Sequence, residues 1–167
     1  MQLVAAVRRT FYTVFETIAV FFFLVMLSSS IVQVFFRYVL GEPLMWTEEL
    51  ARLMAVGTTY FGSVVVLIAR EHIRVDIVET LLGRRSLAVL AIVGDVLIGW
   101  FLASVVVGCW LMTQATWTTF TASMDWFRMG YVYAAVGFAV SAMVLILLLD
   151  VYTRAMVLAG GDPEADA

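Results

Sequence analysis

Apolar and polar positions along this chain separate into four long apolar runs, divided by short segments that carry most of the charge. The runs extend from Phe11 to Phe36, Glu49 to Ala69, Leu87 to Thr113 and Gly130 to Tyr152. A helix needs about 20 residues to cross a hydrocarbon layer roughly 30 Å thick, and every run reaches that length. Inside lipid the backbone must satisfy its own hydrogen bonds, so the runs predict four transmembrane α-helices in a bundle. The first run follows Arg8 and Arg9 as a secretory signal would, but an h-region is only about 7–15 residues long. Arg37-Tyr38 is also a poor cleavage site, so a retained span is expected.

The segments between the runs predict how the spans are joined. Phe36–Arg52 is short, aromatic and charged. Gly41 and Pro43 are expected to stop the first helix, because the residue before a proline disfavours the helical region. Trp46 suits a headgroup layer. Thr47 has the chemistry of an N-cap, with Glu48 and Glu49 following where the positive end of a helix dipole favours carboxylates. Arg52 can snorkel outward or pair with Glu48 or Glu49 on its own helix. Ala51, Ala55, Thr59 and Ser63 recur every four residues with Gly62 beside them. Small residues at that spacing permit close helix packing in lipid, within this chain or against a partner.

After the second run, Arg70–Arg85 carries an apolar stripe of Ile73, Ile77, Val78, Leu81 and Leu82. It predicts a short amphipathic helix along the membrane surface, ended by Gly83. Gln114–Met129 forms a second aromatic loop, with Trp117, Trp126 and Phe127. Residues 1–10 make a short head, and the acidic tail 156–167 is expected to be disordered.

Composition sharpens this picture. Of 167 residues 63% are hydrophobic and 14% charged, with a mean hydropathy of +1.01, whereas soluble domains carry about 25% charged residues. A single polytopic membrane domain is therefore expected. The net charge of −3 says little, because orientation follows the placement of basic residues. All ten are arginines: Arg8, Arg9, Arg70, Arg74, Arg84, Arg85 and Arg154 fall on one side of the predicted membrane, and Arg37, Arg52 and Arg128 on the other. The richer side is assigned to the cytoplasm, which puts both termini inside and the elbow and the tryptophan-rich loop outside. Arg70, His72, Arg74, Asp76, Arg84 and Arg85 then act as cytoplasmic anchors, and the Trp and Arg belts contact phospholipid headgroups.

Little in the chain points to catalysis. Asp95 and Glu16 are the candidate intramembrane ionisable residues, in the third and first runs. A carboxylate there costs about 2.5–3.5 kcal/mol at a helix centre. Asp95 can be read as a proton or cation relay, or as a structural hydrogen-bonding group near the headgroups; the structural reading is favoured. Glu16 is read as an interfacial or inter-helix contact. The lone His72 cannot supply both axial ligands of a transmembrane haem. No Cys/His cluster offers a metal site, and no P-loop is present. Cys109 excludes a disulfide within the chain and reads as a packing residue. A non-enzymatic chain without a cofactor of its own, and with no nucleic-acid partner, is expected. The spans lack prolines and repeats, which fits a scaffold or accessory subunit better than a self-sufficient transporter.

The run R-Y-V-L-G-E-P-L-M-W-T-E-E-L-A-R, Arg37 to Arg52, resembles the hallmark of the DctQ-type small membrane subunit of TRAP (tripartite ATP-independent periplasmic) transporters. Gly62 and R-E-H-I-R-V-D, Arg70 to Asp76, resemble that family's second signature. The resemblance implies a multi-pass protein of the bacterial inner membrane, paired with a large DctM-type subunit that holds the substrate and sodium sites. A periplasmic binding protein would deliver an organic acid, and the small subunit would enlarge the static scaffold of an elevator-type symporter. Arg37, Tyr38, Gly41, Pro43, Trp46, Glu48, Glu49, Arg52, Ala55, Thr59, Gly62 and Ser63 are the assembly candidates, and no substrate-binding residue is expected in this chain. The alternative from another class is a haem-free membrane anchor of a respiratory or redox complex.

Overall fold

The computed structural model describes residues 2–69 and 84–160. Four α-helices follow one another: α1, Gln2–Phe35; α2, Met45–Ala69; α3, Arg84–Ala115; and α4, Met129–Gly160. Each contains a stretch long and apolar enough to cross a membrane: Arg9–Leu40, with the turn that ends α1, then Met45–Ala69, Gly94–Ala115 and Met129–Leu149. The helices run past the expected span ends. Residues 2–10 continue α1 instead of forming a separate head, and Arg84 and Arg85 open α3. α4 runs on to Gly160, so residues 156–160 are helical where a disordered tail was expected. The helical period does not stop where hydropathy falls, because Arg and Ala are good helix formers in water. The predicted surface helix, with Arg70, His72, Arg74 and Asp76, lies outside the described residues.

α1 packs on α2, α2 on α4, and α3 on α4. The packing is aromatic at its centre. Phe15 and Phe61 are buried, with ring centroids 5.8 Å apart. Phe22 approaches Phe61 to 5.3 Å, and Phe138 of α4 approaches Phe15 to 6.0 Å. Val64, Leu67 and Ile68 of α2 extend this core against Ala139, Ala142, Met143 and Ile146 of α4. Beside it, buried Cys109 of α3 meets Val136 and Val140, with Val56 and Tyr60 of α2 reaching across. Cys109 thus serves as a small packing residue. The other faces stay apolar and uncovered: Phe21 and Ile31 on α1, and Trp100, Phe101 and Trp110 on α3, are all exposed. In water such faces would be untenable, but lipid tails are as apolar as the side chains.

α1 ends in a wider turn. Phe36–Leu40 forms a π-helix, and Gly41 closes it in the left-handed region at φ 72°. The amides of Gly41 and Glu42 both donate to the Phe36 carbonyl, the latter at 3.2 Å, so one oxygen absorbs two otherwise orphaned donors. A Cβ at Gly41 would meet no atom within 4 Å, so the position selects glycine for its backbone alone. Gly41→Ala should therefore lower stability by about 1–2 kcal/mol, read as an earlier thermal transition in detergent with the fold retained.

Candidate functional site

The elbow, residues 36–44, and the loop between α3 and α4 lie at the same end of the helices and are fastened together. α2 begins at Met45, four residues before the expected start of the second run at Glu49. Thr47 is therefore not the N-cap. It sits within the first turn, 1% exposed, and its hydroxyl donates to the Leu44 carbonyl at 2.7 Å. Pro43 fixes the entering backbone at its own φ, so the helix needs no side-chain cap to start. This early start places Glu48 and Glu49 one turn in, on different sides of α2.

Glu48 faces α1. It pairs with Arg52 at 3.2 Å and accepts a hydrogen bond from Gln33 Nε2 at 3.2 Å. The ion pair is exposed, so its contribution is about 0.3–0.5 kcal/mol; its role is to orient Glu48 toward Gln33.

Glu49 faces the other way, into the α3–α4 loop. Its carboxylate accepts the Ala122 amide at 3.0 Å and the Ser123 amide at 2.7 Å. The Ser123 hydroxyl also donates to Glu49 Oε2, and lies 3.4 Å from the Met45 carbonyl. Bonds to an ionised acceptor are roughly twice as strong as neutral ones. One side chain of the elbow helix therefore holds a loop more than 70 residues away in sequence.

The loop is shaped to be held. Thr119–Met129 forms a miniature antiparallel hairpin: Phe120 and Arg128 make an isolated bridge, the Thr121 amide donates to the Phe127 carbonyl at 3.0 Å, and the Met129 amide to that of Thr119 at 3.0 Å. The buried Thr121 hydroxyl donates to the Met124 carbonyl at 3.0 Å, closing the tip. Met124, 1% exposed, anchors it, while Trp126 projects outward. Trp117, Phe127 and Tyr131 stack edge to face at its base. Gly130 lets α4 start beneath Trp117, because a Cβ there would lie 3.1 Å from the Trp117 Cα.

The other expected site residues fall as follows. Arg37 lies over the exposed Tyr38 ring, 5.9 Å from its centroid, and Pro43 and Trp46 are exposed. On α2, Ala51, Ala55 and Gly62 are half-buried and Thr59 and Ser63 exposed, with both hydroxyls donating to carbonyls four residues earlier. A Cβ at Gly62 would meet nothing within 4 Å. On α2 the glycine that packs against a neighbouring helix is Gly57, whose Cβ position lies 3.0 Å from the Phe22 ring. Glu16 is exposed on α1; Asp95 is half-buried on α3 and is not without a partner. Among the described residues no group of His, Cys, Asp and Glu could hold a metal ion. Ser123, Ala122 and Gln33 give the two glutamates their roles, and the sequence marks them only by a small, turn-prone Ala-Ser pair amid aromatic neighbours.

Four apolar helices, joined on one side by a clasped elbow and hairpin, define a multi-pass membrane protein. The chain belongs to the DctQ family: residues 26–156 match the family described as tripartite ATP-independent periplasmic transporters, DctQ component. The match takes in the elbow, the clasp and the hairpin. The chain is thus a TRAP transporter component, in a family of transporter subunits and not of enzymes, and such transporters include a larger membrane subunit and a binding protein. A search of curated proteins found no match.

Proposed function

We propose that this chain is the small scaffold subunit of a sodium-gradient-driven, binding-protein-dependent transporter for an organic acid. In this reading it stands beside a large elevator-type subunit in a bacterial inner membrane, with both termini cytoplasmic and the clasp periplasmic. The observation that carries the proposal is the family match across the clasp. The structure adds a physical rationale. A scaffold must resist a moving neighbour, and the Glu49 clasp ties the entry of α2 to the turn before α4. The Thr59–Gly62–Ser63 face, its hydroxyls already satisfied, offers a helix surface that can be covered without stranding a polar group. Family membership favours this reading over a redox-complex anchor. Sodium and substrate sites are assigned to the large subunit, and the Arg70–Arg85 segment to the cytoplasmic headgroups.

Co-expression with the large membrane subunit and the binding protein tests the proposal. Reconstituted vesicles should take up an organic acid only with an inward sodium gradient and all three components. Trp46→Ala, or the pair Glu48→Ala and Glu49→Ala, should lower recovery of the complex or its uptake. Sodium-independent uptake, or full uptake without this chain, would contradict it.

A further inference from the structure

The hairpin tip and the start of α2 border an open hollow of about 410 Å³, lined by Trp46, Ser123, Met124, Asp125 and Trp126. The Phe127 amide donates to the Met124 carbonyl at 3.1 Å, so Asp125 and Trp126 occupy the two central positions of a turn. That turn presents a carboxylate beside an indole. Trp126 is 73% exposed and Trp46 42%. No cation of the chain answers Asp125 among the described residues. The Arg52 guanidinium is taken by Glu48, and that of Arg128 lies over the Phe120 ring, 5.7 Å from its centroid. Two indoles and a carboxylate line the hollow, groups that suit an ammonium: an aromatic ring attracts a cation over its face within about 6 Å, and the carboxylate accepts its hydrogen bonds.

A second cavity lies further along α2. A cleft of about 240 Å³ lies between α1, α2 and α4, lined by Phe22, Leu53, Gly57, Phe61, Tyr131 and Ala135. It is almost wholly apolar. Leu53 follows Trp46 by seven residues, which on a helix is a fall of about 10 Å with a rotation of only about 20°. Trp46 and Leu53 therefore lie on one side of α2, one lining each cavity. Phe127, next to Trp126, lines the lower one. A headgroup layer is roughly 5–7 Å deep on each side of the hydrocarbon, so the upper cavity falls at headgroup depth and the lower one among acyl chains.

We propose that these cavities together bind one phospholipid with an amine-bearing headgroup, its ammonium between Trp46, Asp125 and Trp126 and one acyl chain in the cleft below. The occupant is specified by charge above and by apolarity below. A free cationic metabolite would leave the cleft unused, and an anionic lipid would meet Asp125 unfavourably. The site is built from this chain alone and does not depend on the transport reading.

Native mass spectrometry of the purified full chain tests this, with equimolar phosphatidylethanolamine, phosphatidylglycerol and phosphatidylethanol. Phosphatidylethanol keeps the phosphate and both chains but lacks the amine. The unaltered protein should retain phosphatidylethanolamine about tenfold over either competitor, the size expected of a partly desolvated cation on aromatic faces. Asp125→Asn and Trp126→Ala, both at exposed turn positions, should each bring the ratio close to one. Equal retention of phosphatidylethanolamine and phosphatidylethanol by the unaltered chain overturns the proposal without recourse to any variant. An unchanged preference in Asp125→Asn overturns it as well.

Discussion

Glu49→Ala is expected to release the α3–α4 hairpin from the elbow while the four helices stay assembled. The substitution removes the acceptor of three hydrogen bonds, from the Ala122 amide, the Ser123 amide and the Ser123 hydroxyl. Bonds to charged groups contribute about 1.5–3 kcal/mol each in favourable cases. Here Glu49 is only half-buried, and water can replace part of what is lost. A net cost of about 2 kcal/mol follows, or roughly a thirtyfold shift toward the open hairpin. Hydrogen exchange at the Ala122 and Ser123 amides should accelerate by about that factor. Glu49→Gln keeps one carbonyl acceptor and should fall between the two. Combined with Ser123→Ala, the effects should be less than additive, because both changes remove the bond between the Ser123 hydroxyl and Glu49. Unchanged exchange at these amides would show that the clasp holds nothing.

The second large effect is expected in the core. Phe61 is 4% exposed and touches Phe15, Phe22 and Phe138. In a soluble protein Phe→Ala costs about 3–5 kcal/mol, part of it the transfer of the ring from water. In a membrane that part is absent, since lipid is as apolar as the core. What remains is lost dispersion and the aromatic pairs, each worth about 0.5–1.5 kcal/mol. Phe61→Ala should therefore destabilise the chain by about 2–3 kcal/mol, read from reversible detergent denaturation. Phe61→Leu should cost less than half of that, and Phe138→Ala less than Phe61→Ala, because the Phe138 ring is 61% exposed. A Phe61→Ala cost below about 0.5 kcal/mol would place the core elsewhere.

The four spans were legible because lipid imposes a plain rule: about 20 apolar residues, hydrogen-bonded within themselves. The elbow was legible for a similar reason. Gly41 and Pro43 break helices through their own backbones, whatever surrounds them. Thr47 misled because the residue types favoured at an N-cap are also tolerated in a first turn, where a hydroxyl can return to its own backbone. The position of Pro43 was the better guide to where α2 starts. Glu49 suits a helix dipole so well on local grounds that nothing in the sequence calls for a second partner, and Ser123 lies 74 residues away. The small-residue stripe on α2 leaves Thr59 and Ser63 exposed, whereas Gly57, outside that stripe, receives the Phe22 ring. A bulky neighbour needs a hole, and periodicity of small residues does not reveal where a ring will be.

The clasped end of this subunit is expected to stay rigid while its transporter works. Pulsed electron–electron spin measurements report it directly, with spin labels at the exposed positions Glu42 and Thr118 in a Cys109→Ala background, in the complex with the large subunit and binding protein. One narrow distance distribution is expected, unchanged by sodium, organic-acid substrate or binding protein. A distribution that broadens or moves through the transport cycle would contradict a static scaffold held by Glu49.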